Sequence, residues 1–150
     1  NQPLTILHWT SLKKTPNFIA LCFKNKPFAQ QSDKTHWVLL PKQMPSDTPN
    51  KSFEDQSSFV STKYPQYQIT RPLELVSGIF LYCLQNRQKL YTTKINKCSP
   101  YARTQTSAGE VFSVGNFSQS GLYVNYYRYQ DPQIAKKGLG LSLCRRENLT

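Results

Sequence analysis

The sequence predicts a mostly β domain, and three observations carry that reading. Short runs rich in Val, Ile, Tyr, Phe and Trp recur along the chain, separated by turn formers. Ten Pro stand against six Gly, a proportion ill suited to a helical bundle. No segment keeps a helical apolar period over several turns; the nearest, residues 107–116, is interrupted by Gly109 and Gly115.

In chain order, residues 4–9 read as a first strand. Residues 17–23 read as a second, with Cys22 near its end, and residues 35–40 as a third, with Trp37 assigned to the core. Residues 41–58 shift to Pro, Ser, Asp, Gln and Asn, with turn formers at Pro45-Ser46-Asp47 and Pro49-Asn50, and read as a loop. Residues 59–70 set Tyr64 and Tyr67 among polar neighbours and read as irregular. Residues 74–85 centre on Gly78-Ile79-Phe80-Leu81-Tyr82-Cys83, the composition of a fully buried strand, with residues 90–95 as its hairpin partner. Residues 122–129 are rich in Tyr and Val and strand-like. Leu139, Leu141 and Leu143 alternate with Gly138, Gly140 and Ser142, which puts the three leucines on one face of a strand.

The 150 residues are one domain's worth of chain. Nine Tyr, eight Phe and two Trp exclude a disordered chain. No apolar run reaches the length of a membrane span. The first residue is Asn1 rather than Met, the beginning expected of a processed chain. Nineteen Lys and Arg against eight Asp and Glu give a net charge of +11. Residues 1–75 hold 9 basic and 5 acidic side chains (+4) and residues 76–150 hold 10 and 3 (+7), with small clusters at Lys136-Lys137 and Arg145-Arg146. Such a balance is either a solvated face or an attraction to an acidic partner.

Enzymatic signals are absent. No nucleophile elbow, metalloprotease helix, P-loop or dinucleotide fingerprint occurs. The acidic residues are unpaired except Glu54-Asp55, so a glycosidase dyad has no support. His8 and His36 form the minimum set for general acid–base cleavage of a phosphodiester, but each sits beside a Trp in a strand-like run, which suits a structural role. Two His and no C-x-x-C give no expectation of a metal, and no cofactor is implied. Tyr123, Tyr126, Tyr127, Arg128 and Tyr129 interleave aromatics with a cation, yet an alternating strand divides them between two faces, so nucleic acid is not the expected partner.

Four cysteines, Cys22, Cys83, Cys98 and Cys144, and three N-x-[ST] sequons, at Asn50, Asn116 and Asn148, favour an oxidising, secretory setting with N-linked glycans. Three pairings are open. Cys22–Cys83 with Cys98–Cys144 would tie strands across a sheet or sandwich, at about 4 kcal/mol per bridge in the chain-entropy model. Cys83–Cys98 would staple a hairpin.

The stretch 97–132 reads Lys97-Cys98-Ser99-Pro100, then Thr106, Gly109 and Ser113, then Gly121-Leu122, Tyr127-Arg128 and Asp131-Pro132. It resembles the C-terminal part of the receptor-binding domain of gammaretroviral-type envelope surface subunits. Those carry Lys/Arg-Cys-Asn-Pro, a later Thr and Gly, Trp-Gly-Leu, Tyr-Arg and Asp-Pro. Ser120 stands where that family has Trp. Ala20-Leu21-Cys22 with Thr35-His36-Trp37 is similar to the family's Leu-Cys followed by Asp-x-Trp, and Phe80-Leu81-Tyr82-Cys83 to its Phe-Tyr-Val-Cys.

The resemblance implies an immunoglobulin-like antiparallel β-sandwich, with a loop-rich variable insertion at about residues 23–74 on a core from residues 4–22 and 75–144. It places a Cys22–Cys83 bridge at the base of the insertion, leaving Cys98–Cys144. It implies a viral or endogenous retroviral envelope glycoprotein domain, secreted or displayed on a virion or cell surface. Its partners would be a host multipass membrane transporter as receptor and the transmembrane fusion subunit of the same envelope. A domesticated form would block that receptor or serve cell fusion. Within the insertion the candidate receptor-binding residues are Lys24, Lys26, Phe28, Phe53, Phe59, Tyr64 and Tyr67, aromatics and cations of the kind that anchor interfaces. Two other readings stand beside it: a bacterial toxin B-subunit lectin that binds host glycans, and a small secreted basic nuclease using His8 and His36.

Overall fold

The computed structural model describes residues 3–12, 18–19, 27–91, 101–105, 109–118, 121–126 and 139–148. Among these it holds four helices, α1 (Ile6–Leu12), α2 (Pro27–Gln30), α3 (Phe53–Lys63) and α4 (Pro72–Asn86). The strands are β1 (Phe18–Ile19), β2 (His36–Leu39), β3 (Gln68–Ile69), β4 (Tyr101–Gln105), β5 (Val111–Ser118), β6 (Gly121–Tyr126), β7 (Leu139–Leu141) and β8 (Leu143–Asn148). The domain is rich in sheet but mixed in content. A five-stranded sheet runs β1-β6-β5-β4-β7, and a three-stranded sheet runs β2-β8-β3. In the first, β1–β6 and β4–β7 are parallel and the other pairs antiparallel. The mostly β, antiparallel sandwich expected from the sequence holds in part: the described residues are rich in sheet and most strand pairs are antiparallel, but four helices and two parallel pairs make the content mixed.

The largest correction is α4, read from the sequence as a buried strand. Its buried residues are Pro72, Glu74, Leu75, Val76, Ile79 and Phe80, and the spacing of Leu75, Val76, Ile79 and Phe80 is one face of a helix. Pro72 takes the first helical position, where its missing N–H costs nothing. The Glu74 carboxylate accepts from the Arg71 backbone N–H at 2.7 Å and closes the helix start. Arg87 ends the helix in the left-handed region, φ 58°.

Of residues 4–9, read as a strand, Ile6 to Trp9 are likewise helical, within α1. The Trp9 indole stacks on Phe80 at 5.1 Å, and its N–H donates to Ser77 Oγ at 2.8 Å. Helix α3 begins inside the expected loop, where Ser52 Oγ accepts from the Asp55 N–H at 3.0 Å. The third strand, residues 122–129 in part and the Leu139/Leu141 alternation agree with β2, β6 and β7. Leu90 and Tyr91 belong to no strand, and residues 92–95 lie outside the described residues.

The main core lies between α4 and the five-stranded sheet. Leu75, Val76, Ile79 and Phe80 meet Ala102, Phe112, Val114, Leu122 and Val124, with Ile6, Trp9 and Phe28 closing one side. A second cluster joins Val60 of α3 to Leu141 and Leu143, overlain by Phe53, Tyr64, Tyr67 and Ile69. The described part of residues 23–74 supplies α2, α3, the start of α4 and both edge strands, β2 and β3, of the three-stranded sheet. At Ser142 the chain leaves one sheet for the other, so Leu139, Leu141 and Leu143 are all buried but serve two sheets.

Candidate functional site

The three-stranded sheet presents two faces of opposite character. Its antiparallel register pairs His36 with Asn148, Trp37 with Glu147, Val38 with Arg146 and Leu39 with Arg145, and pairs Gln68 with Cys144 and Ile69 with Leu143. Directly opposed residues share a face, and faces alternate along each strand. His36, Arg146 and Cys144 therefore point one way, and Trp37, Leu39, Arg145 and Glu147 the other.

The inner face closes on Glu74, whose side chain is 3% exposed. Arg146 grips the carboxylate with two nitrogens, Nε to Oε1 at 2.5 Å and Nη2 to Oε2 at 2.8 Å, a bidentate pairing. His36 Nε2 meets Oε1 at 2.9 Å, and the Cys144 thiol lies 3.6 Å from Oε2. Arg146 also donates to the Ile69 carbonyl at 3.0 Å and to the Gln68 side-chain oxygen, tying β8 to β3.

Burial alone would raise the Glu74 carboxyl, but Arg146, the Arg71 N–H and His36 outweigh it and hold it below the ordinary carboxylate range. His36 is raised, chiefly by the Lys34 carbonyl 2.5 Å from Nδ1 and then by Glu74. Burial, and after it the Glu74 charge, pushes the Cys144 thiol up to about 12. These states leave little chemistry. Both ring nitrogens of His36 face acceptors, the Glu74 oxygens are occupied by donors, and Cys144 stays a thiol. The cluster locks β2 and β8 onto α4 and so sets which residues face out.

Along β2 the outer face is exposed. Trp37 is 67% exposed and Leu39 56% exposed, which corrects the assignment of Trp37 to the core. Arg145 and Glu147 pair beside them at 3.1 Å, both exposed. Toward β3 the same face is covered by α3 and the turn after it, over Leu143 and Ile69.

Four of the expected receptor-binding residues come together there. Phe53, Phe59, Tyr64 and Tyr67 are half-buried; Phe59 meets Tyr64 edge-on at 6.0 Å, and Tyr64 meets Tyr67 at 6.3 Å. Lys51 and Lys63 lie over the Phe59 ring at 4.6 and 5.0 Å. This rim is held from below by buried Arg103, which donates to the Lys51 carbonyl at 2.8 Å and to Gln56 Oε1 at 2.7 Å. Gln56 in turn donates to the Thr48 and Leu139 carbonyls at 2.6 and 3.0 Å.

Phe28 is elsewhere. It is 5% exposed and packs on Phe112 at 4.1 Å between ring centroids, so it is a core residue rather than a contact. Lys24 and Lys26 lie outside the described residues, as do Tyr127, Arg128 and Tyr129. Asn50 is exposed in a turn at φ 65°, and Asn116 is half-buried on β5 at φ 48°. Asn148 ends β8. Cys83 sits on α4 rather than at a strand end, and among the described residues Cys83 and Cys144 form no disulfide; Cys22 and Cys98, their expected partners, lie outside the described residues.

Trp37 and Leu39 are the residues that sequence reasoning missed. In the run His36-Trp37-Val38-Leu39 the more apolar alternation is Trp37 and Leu39, so the local pattern points that pair inward, opposite to what the structure shows. Among the described residues no cluster suited to a metal occurs, and no helix is long and apolar enough to cross a membrane. Comparison with protein-family models, with curated proteins and with solved structures finds no match to this chain.

Proposed function

We propose that this chain is a non-enzymatic recognition domain that binds a protein partner through the outer face of the β2-β8-β3 sheet and the aromatic rim of α3. The observation that carries the reading is the exposure of Trp37 and Leu39 on a strand whose inner side is locked by an ion cluster. An apolar side chain left in water forgoes roughly 1.5–3 kcal/mol of burial, so it gives the free domain little. Trp flanked by Arg is the composition of an interface anchor. In its specific form, the reading is attachment to a host cell-surface protein such as a multipass transporter, by an envelope surface domain acting with a separate fusion subunit. The resemblance of residues 97–132 supports that form. The role, rather than the sandwich architecture, is what the proposal retains from it. An exposed sequon at Asn50 suits a secreted, glycosylated domain.

The test is saturable binding of the purified full chain to a panel of cells. Trp37→Ala with Leu39→Ser should abolish binding, and Leu81→Ser, at an exposed leucine on α4, should leave it intact. Binding that survives the Trp37 and Leu39 changes overturns the assigned face. Binding lost on glycosidase treatment of the cells replaces the protein partner with a glycan.

A further inference from the structure

β2 is the edge of its sheet, and among the described residues it pairs with β8 alone. Among the described residues, one row of its backbone N–H and C=O groups therefore has no strand partner. Protein edges are usually blunted by a Pro, a bulge or a charge within the strand. His36-Trp37-Val38-Leu39 holds no Pro and keeps a regular register, and the one charge it can carry, on His36, is turned inward to Glu74. Positive charge lies just past both ends instead. Lys34 and Lys42 bracket the strand, both are exposed, and neither forms an ion pair with a described residue. The nearby acids are engaged, Asp33 with Arg71 at 2.7 Å and Glu147 with Arg145 at 3.1 Å.

We infer that β2 is a strand-addition site for an extended, acidic segment of a protein partner. The segment hydrogen-bonds along the open edge, lays alternate apolar side chains beside Trp37 and Leu39, and sets its carboxylates against Lys34 and Lys42. The inference rests on the binding face proposed above and adds to it a docking mode and a partner chemistry. A second copy of the chain is the poorer occupant. Edge-to-edge pairing of two β2 strands would bring both copies' Lys34 and Lys42 together in molecules that each carry a net charge of +11.

The test uses the full chain and a labelled peptide of about ten residues alternating Glu with Val, long enough to span an edge strand. Two N-methylated versions block alternate sets of its amides, and polyglutamate serves as the charge-only comparator. Saturable binding is expected. It should be lost with one N-methyl set and kept with the other, because only one row of amides can face β2. Trp37→Ala should weaken it about tenfold. Lys34→Gln with Lys42→Gln should also weaken it about tenfold and flatten its salt dependence.

Equal affinity for both N-methylated forms overturns strand addition, and so does polyglutamate binding as tightly as the alternating peptide. A Trp37-dependent dimer in sedimentation gives the edge to a second copy and also overturns it. Cell binding that needs Trp37 while the peptide neither binds nor competes rejects this mode and keeps the binding face. Peptide binding with cell attachment indifferent to Trp37 rejects the assigned face and keeps the strand-addition site.

Discussion

Leu40 lies directly over Gly78 of α4, in the space a Cβ at that position would take. Four residues earlier in each stretch of chain, His36 at the start of β2 reaches Glu74. Strand β2 and the residue that follows it are thus fastened to one face of the helix at two points, one apolar and one ionic, while Trp37 and Leu39 are left in water.

Gly78→Ala should test the apolar fastening. Alanine in a helix gains about 1 kcal/mol over glycine, whereas overpacking costs about 1–3 kcal/mol. Leu40 packs against the main core, so the clash is expected to win and the variant to lose about 1 kcal/mol in urea denaturation. Adding Leu40→Ala should turn the same glycine change favourable. A Gly78→Ala protein more stable than the parent would show that Leu40 moves away freely.

Glu74→Gln should test the ionic one. It leaves the Arg146 guanidinium, largely buried, facing a neutral amide. Removing one partner of a buried pair costs about 3 kcal/mol, and that loss should appear in the denaturation midpoint at constant slope. A change below about 0.5 kcal/mol would mean that the cluster is hydrated and adds nothing beyond a surface pair.

The same cluster sets a pH window. His36 is raised above its ordinary 6.5, so its contribution is complete below that value and fades as pH rises through the folded value. Glu74 is held below its ordinary 4.5, so its contribution is complete above that value and fades as pH falls through the folded value. Both contributions are whole only between about 4.5 and 6.5. Stability against pH should fall on either side, and His36→Gln should flatten the alkaline side alone. An unchanged alkaline slope in that variant would move the titration to another group.

Cys144 should resist alkylation in the native protein at pH 8, since its thiol is buried and raised to about 12. In guanidinium chloride without reductant it should label fully, as a free thiol does. Mass spectrometry that finds Cys144 unlabelled until reductant is added would place it in a disulfide instead.

Trp37→Ala should cost less than about 0.5 kcal/mol of stability, the range of ordinary surface changes, despite being the removal of a tryptophan. Thermal melts of that variant and of Trp9→Ala form the comparison. The latter empties a core site stacked on Phe80 and should lose about 3–5 kcal/mol.

By itself the sequence determined a basic chain rich in sheet. β2, β6 and the Leu139/Leu141 alternation were legible because their apolar content and turn-bounded length are local properties of strands. Two helix starts were also written locally, in Ser52 with Asp55 and in Pro72 with Glu74, although the expectation of strands passed over them. Only the tertiary structure decided that residues 72–86 are a helix, because a short apolar run suits a buried strand and a buried helix equally until something packs against it. It also decided that Trp37 faces water and Phe28 does not. Glu74 gathers His36 from 38 positions away and Arg146 from 72, and that distant pairing turns one alternation of β2 inward and leaves the other exposed. Exposure and ion pairing depend on what lies across from a face, and no local pattern in the chain encodes that.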